Sequence, residues 1–522
     1  MKIKNIIIVG GGTAGWIAAN SIINRTPPHI KVKVIATPEI PIIGVGESTT
    51  GLMNDLIKHG GRHTGLNEID FLKETESTFK IGIKHSDWHT VGEYFNSPIG
   101  DNWENDIGYP SGSYDWMRIY HVANKIKYNT LQCRLMDQNK LHYFKDNIYQ
   151  NIYEQKQIKE VPVAYHLDTY KVGQYLKKQA LTSNRCEHID DSVVDFNLDE
   201  KGYIDYVITK GGQNINGDFF IDCTGFHKVL ISKLENNKFI SWADKLLVNE
   251  ALNFNVPNEP DQPIRCYTHA WAQKNGWLWE IPTQKRMGCG YVFSNNHTTA
   301  DKALEEIETV LNKKIEVRKV IKFEAGRMEK FWIKNCLSTG LSSAFVEPLE
   351  ATSIHATLMQ LNHFFEHYFK EDLPQTNLFE NAYNSEMTEM WDFFRDFIVM
   401  HYITPRNDTQ FWIDASDENR KSDRLKTLLE KWKYRMPRVI DYISDINNNF
   451  YSIGNVLTYQ ILMGMNLLDP KVAQQELKSF LLYDVADMRY KEMQAILDQM
   501  LPKMIDGRDY FNQINSINTN TK

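Results

Sequence analysis

With 522 residues, the chain is too long for one small core and implies two or more packed modules. A hydrophobic share of 42% and a charged share of 24% belong to an ordinary globular protein, and a net charge of −7 without a basic block gives no reason to expect a nucleic-acid or membrane partner. No apolar run approaches the roughly 20 residues that a bilayer-spanning helix needs, no signal-peptide pattern is seen, and the six scattered cysteines read as reduced thiols in a cytoplasmic protein.

The opening, "KNIIIVGGGTAGWIAANSI", reads as a buried strand from Ile6 to Val9, then GxGxxG at Gly10, Gly12 and Gly15, then an Ala-rich helix. This is the order a dinucleotide-binding turn requires. Gly10 permits the tight turn, Gly12 lets backbone approach a pyrophosphate at the helix N-terminus, and Gly15 lets helix and strand pack closely. The next strand, "KVKVIA", would ordinarily end in an acid that holds ribose; Ala36 stands there instead, followed by Thr37, Pro38 and Glu39. "IPIIGVGEST" is a glycine loop around Val45, either a plain connection or a backbone passing close to a flat cofactor. In "STFKIGIKHSDW", Phe79, Ile81 and Ile83 alternate with Lys80, Gly82 and Lys84. That predicts one strand with both lysines on its non-core face and Gly82 clearing space between them.

Residues 188–226 read as short strands with Gly turns, closing on "FFIDCTGF", a strand expected to return in parallel to the nucleotide module. In "GWLWEIP", residues 276–282, Trp277 and Trp279 fall on one face of a strand. Later, "NCLSTGLSSAFVEPLEATSIHATLMQLNHFFEHYF" reads as strand, loop and helix. Ile354, Leu358, Leu361, Phe365 and Tyr368 form the helix's apolar stripe, and its first-turn amides, around Thr352 and Ser353, form a ready anion site. "HFFEH" matches a zinc-protease pattern, but His363, Glu366 and His367 lie opposite the stripe and read as surface residues; no metal is expected. The polar tail "NQINSINTNTK" is expected to fray.

"GGGTAGW", "IGVGEST", "FKIGIK", "GWLWEIP", "FVEPLEAT" and the aromatic run from Arg395 to Trp412 occur in this order. In this the chain resembles the flavin-dependent tryptophan-halogenase family, from about residue 4 to about 412; beyond about 430 only a helical tail is read. The resemblance implies an α/β fold: an FAD-binding Rossmann-like module of the flavin monooxygenase type (1–100, 165–235 and 320–370) merged with a largely helical substrate module (101–164, 236–319 and 371–522). It implies an FADH2-dependent halogenase whose reduced FAD comes from a separate flavin reductase. Oxygen and a bound halide then yield hypohalous acid, which travels through a tunnel to a small aromatic substrate. By resemblance Lys80 aims that acid, by hydrogen bond or as a haloamine, a role eased by the readiness of a buried ammonium to lose charge. Glu350 polarises the electrophile or takes the ring proton, and Thr352 and Ser353 hold the halide. FAD falls on Gly10, Gly11, Gly12, Thr13, Ala14, Gly15, Thr37, Ile40, Ile43, Val45, Ser48, Val193, Leu341 and Ile354. Trp277 and Trp279 are a wall between flavin and substrate, not catalysts. Whether the chain forms a homo-oligomer stays open.

The chain also departs from the family. Ser353 stands where the family usually has Gly; a Cβ there changes the permitted backbone angles and the shape of the halide site, so bromide and iodide join chloride as expected halides. Ala36 replaces the ribose acid, and Gly51 a common proline. The residues that grip tryptophan find no match, so the expectation is an aromatic, indole-like or phenolic ring. The rival readings are a flavin monooxygenase that hydroxylates an aromatic substrate and a flavin-binding protein without catalysis.

Overall fold

The computed structural model describes residues 2–39, 47–58, 66–100, 115–127, 129–145, 163–259, 262–374, 376–441 and 451–516. Its first apolar run is the strand Asn5–Val9, flanked in parallel by Lys31–Ile35 and by Phe219–Asp222. The expected return of "FFIDCTGF" is thus found, with Val9 level with both Ile35 and Asp222. Cys336–Ser338 adds a further parallel strand, Cys186–Ile189 closes one edge, and Trp332–Ile333 turns back antiparallel at the other. Ile6 to Val9 are buried throughout, as a parallel strand covered on both faces must be. Helix Thr13–Arg25 packs against helices Thr169–Leu181 and Thr352–His363.

This sheet belongs to one compact unit, Met1–Ser77, Leu167–Asp244 and Lys322–Arg395. A meander of Val193–Leu198, Ile204–Thr209 and Asn214–Asn216 adds Val193 and Val207 to the core formed by Ile7, Val9, Ile35 and Phe220.

The second unit is Thr78–His166, Lys245–Ile321 and Asp396–Lys522. Besides its helices it holds a seven-stranded sheet in which Gly276–Pro282 lies between Tyr267–Ala272 and Arg286–Phe293. Leu278 packs on helix Ala300–Leu311 with Phe254, Tyr291 and Ile307. Beyond residue 430 the described chain is mostly helical, as read, but it also supplies a strand, Met504–Asp506, that pairs with Lys140–Phe144. The tail expected to fray at 512–522 is helical through Ser516, with Tyr510, Phe511 and Ile514 buried; its apolar residues recur at helical spacing within a polar composition.

The unit boundaries fall at 77/78, 166/167, 244/245, 321/322 and 395/396. They differ most from the expected module limits at 100/101 and 370/371. Strand Gly82–Ser86 is hydrogen-bonded into the second unit's sheet, and helix Leu378–His401 begins in the first. Among the described residues no helix is long and apolar enough to cross a membrane, and the cysteines are free.

Candidate active-site residues

In the first unit the glycine turn is built as a cradle. Gly10 has φ +109°, and a Cβ on it would lie 2.3 Å from Cys223 O; one on Gly15 would lie 2.0 Å from Gly10 O. Both positions therefore exclude any larger residue. Around Gly12 a Cβ would meet no atom of the described residues within 4 Å, and Gly12 caps helix Thr13–Arg25 without a side-chain bond. Open space over uncapped helix amides fits the pyrophosphate of a dinucleotide such as FAD. Gly340, at φ +67°, comes so close to Ala14 that a Cβ would sit 2.7 Å from its methyl, which brings Leu341's turn to the same helix end.

The other expected FAD residues have unequal surroundings. Val193 packs with Val9 and Ile35 beneath the turn. Thr37 is half-buried, and its hydroxyl accepts from Glu39 N at 3.3 Å; Glu39 itself is exposed and pairs with Lys210 at 3.2 Å. Ala36, in place of the ribose acid, offers its carbonyl to His188 Nε2 at 2.9 Å. Ser48 and Ile354 are buried, and the Thr50 hydroxyl lies 2.6 Å from His355 Nδ1, which ties the segment after the glycine loop to the helix of Ile354. Ile40, Ile43 and Val45 lie outside the described residues. Sequence reasoning missed two acids here. Asp222 is fully buried and accepts from the amides of Thr224, Leu230 and Ile231 and from the Thr224 hydroxyl, so it serves the loop fold. Loss of hydration pushes Glu47 up to about 7.

Glu350 ends a short 3-10 turn, Pro348–Glu350, and is buried. Ala351 then takes a left-handed conformation, φ 57° and ψ 35°, and the helix starts at Thr352 with no side-chain cap. The Thr352 hydroxyl is buried and has no hydrogen-bond partner among the described residues. An unpaired hydroxyl beside uncapped first-turn amides fits a halide. Ser353 lies inside the helix, where a Cβ is ordinary, so the expected change in backbone angles does not arise; the residue forced into a rare region is Ala351.

In the second unit the expected single strand through "FKIGIK" is broken. Thr78–Lys80 pairs antiparallel with Ala164–Leu167, whereas Gly82–Ser86 joins the seven-stranded sheet; between them Ile81 N bonds to Cys266 O. Lys80 is fully buried, not on a solvated face. Lys84 remains half-buried over the Tyr94 ring at 3.7 Å, with Asp137 3.8 Å away. Gly82 clears no cavity, because a Cβ on it would meet Ser97 O at 2.6 Å and Met136 Sδ at 2.7 Å. Trp277 and Trp279 do share a face, centroids 6.1 Å apart, and Trp277 continues to Trp88. Both are buried, their indole N–H groups have no partner among the described residues, and Trp279 lies across Gly290, where a Cβ would meet its ring at 2.1 Å.

The apolar stripe of the late helix shifts at its end. A π-turn over Phe364–Tyr368 inserts one residue, so Phe364 is buried against Phe219 and Trp332 while Phe365 is only half-buried. The reading of "HFFEH" as surface residues holds only in part. His363 is buried and bonded to Glu386, whereas Glu366 and His367 are exposed.

A parallel sheet with a glycine cradle at its strand ends, leading into a helix with no side-chain cap, defines an α/β dinucleotide-cofactor protein. The family model described as tryptophan halogenase matches residues 5–478, and the chain belongs to that family. It is 31% identical over 463 residues to tryptophan 6-halogenase ThaL of Streptomyces albogriseolus, covering 84% of this chain and 83% of the relative. It is 30% identical over 501 residues to tryptophan 7-halogenase RebH of Lentzea aerocolonigenes, covering 90% of each. The solved structure of Tar14, described as a tryptophan C-6 flavin-dependent chlorinase from taromycin biosynthesis, superposes with a TM-score of 0.86 at 28% identity, over 98% of this chain and 100% of that one. The chain is accordingly a flavin-dependent halogenase of aromatic substrates that uses reduced FAD and halide and works with a separate flavin reductase. Nothing in these comparisons favours the hydroxylase.

Proposed function

We propose that the chain halogenates an indole-like or phenolic ring by electrophilic substitution, with Lys80 aiming the electrophile and Glu350 receiving the ring proton. Bound reduced FAD, with oxygen, supplies the two-electron oxidant that turns halide into hypohalous acid. The Gly10–Gly15 turn would hold the pyrophosphate of FAD, and by family resemblance the rest of the cofactor would fall on Thr37, Ile40, Ile43, Val45, Ser48, Val193, Leu341 and Ile354. The first-turn amides at Thr352 and Ser353, with the Thr352 hydroxyl, hold the halide. The ring gains a carbon–halogen bond and loses a proton, and hypohalous acid leaves its oxygen as water; a buried carboxylate is a suitable acceptor for that proton.

One observation carries this reading. Lys80, at the family's motif position, is fully buried while its neighbour Lys84 is not. A buried ammonium donates its hydrogen bonds to what the protein places beside it rather than to water. Relatives named as tryptophan 6- and 7-halogenases support an indole ring as the substrate class. The free cysteines support a cytoplasmic location. The test is to supply reduced FAD, oxygen and chloride, bromide and iodide in competition to a panel of indoles and phenols, with products read by halogen isotope pattern. Halogenated rings, with bromide or iodide competing against chloride, are expected. Hydroxylated products without halogen would overturn the reading.

A further inference from the structure

Lys80 sits in a three-residue strand, too short to hold its own register. Side chains of the same unit fix it instead. Thr78, two residues earlier and on the same face, stands opposite His166, as Lys80 stands opposite Ala164. The Thr78 hydroxyl donates to Pro282 O at 2.6 Å, at the end of the double-tryptophan strand. A hydroxyl has one proton, so toward His166 Nδ1, 3.1 Å away, Thr78 Oγ1 can only accept. Nδ1 therefore carries hydrogen. The other ring nitrogen, Nε2, lies 3.0 Å from Thr268 Oγ1. His166 and Lys80 are both wholly buried, and Thr78 and Thr268 nearly so. Burial, and then the charge of Lys80, pushes the imidazole well below its ordinary value. A neutral ring with hydrogen on Nδ1 leaves Nε2 to accept from the Thr268 hydroxyl.

We propose that His166 is the positioning residue for Lys80: a neutral Nδ1–H imidazole that, through Thr78, locks the lysine's strand to Pro282 and to Thr268 and sets no second positive charge beside the ammonium. His166 touches no reacting atom. The proposal rests on the reading of Lys80 as the residue that aims hypohalous acid. Without the Nδ1 donor, Thr78 is free to turn from Pro282 and the lysine loses its aim, while halide oxidation continues.

The test compares His166→Asn, whose amide nitrogen replaces Nδ1–H, with His166→Gln, whose amide reaches only the Nε2 position, beside His166→Ala, Lys80→Ala and the wild type. The readout is bromination product per reduced flavin consumed, with the rate of flavin reoxidation and Tm measured alongside. His166→Asn is expected within about threefold of wild type, and His166→Gln and His166→Ala about tenfold or more below it, as for a lost buried hydrogen bond, with flavin reoxidation unchanged. Equal yields from the Asn and Gln variants would overturn the proposal. Nitrogen-15 NMR of histidine-labelled wild type, with His166 assigned by its loss in His166→Asn, reads the tautomer without any cofactor. A neutral Nδ1–H ring from about pH 6 to about pH 8 is expected, and an imidazolium or an Nε2–H tautomer would overturn it. An active Lys80→Ala defeats the lysine reading itself; an inactive Lys80→Ala beside a normally coupled His166→Gln defeats the positioning role alone. If His166→Ala does not fold, the Asn and Gln pair and the NMR spectrum decide.

Discussion

The Thr352 hydroxyl is buried at a helix start whose first amides have no acceptors within the helix, and it has no partner among the described residues. If it holds halide, Thr352→Val should raise the KM for bromide about tenfold, the size of a lost hydrogen bond to a charged group, with FAD affinity unchanged. Initial rates across bromide concentrations decide this, and an unchanged KM would remove Thr352 from the halide site. Glu280, between the two tryptophans and Pro282, offers a second prediction. Burial opposes its ionisation, but the hydrogen bond from His269 and the charge of Arg265, both at 2.7 Å, hold it at about 2 against an ordinary 4.5. A depressed folded value stabilises above the ordinary value, and the contribution fades as pH falls from 4.5 toward 2. Glu280→Gln should therefore lower Tm at pH 7, and the gap to wild type should narrow below 4.5. A gap independent of pH would show that Glu280 is not ionised by these partners. The motif identified Lys80 in the sequence, but the lysine's burial depends on strand partners far along the chain. His166 gave no signal, because its role rests on Thr78 and Thr268, neither near it in sequence.

At the scale of elements, the first strand, the glycine turn and the returning "FFIDCTGF" strand were legible because apolar runs and Gly spacing are local signals. "FKIGIK" kept its alternation but not its continuity. Two different sheets claim its halves, and alternation cannot tell one strand from two. The late helix was legible until the π-turn moved Phe364 into the place expected of Phe365. The final helix was misread from its polarity, although Tyr510 and Phe511 pack on Phe79, the residue before Lys80, at 5.4 and 6.0 Å. Phe511→Ala should then cost about 3–5 kcal/mol, as for a large buried aromatic. Denaturant unfolding measures this, and a loss below about 1 kcal/mol would show that the tail helix is a surface addition.

At the scale of the whole chain, the family could be read from the order of six motifs, and the family match over residues 5–478 agrees. The division into two discontinuous modules was expected through the resemblance alone, because it has no local signal in the sequence. The chain leaves and re-enters each unit at 77/78, 166/167, 244/245, 321/322 and 395/396, and pairings such as Tyr267–Ala272 with Gly82–Ser86 join segments nearly two hundred residues apart. Lys80 therefore owes its place to tertiary pairing, while the role proposed for it rests on the family's resemblance at a six-residue motif. The direct measurement is Lys80→Ala beside wild type, each given reduced FAD, oxygen, bromide and an accepted aromatic substrate, with flavin reoxidation and halogenated product followed together. The expected result is unchanged reoxidation with halogenated product lost; normal product yield from Lys80→Ala would contradict the assignment.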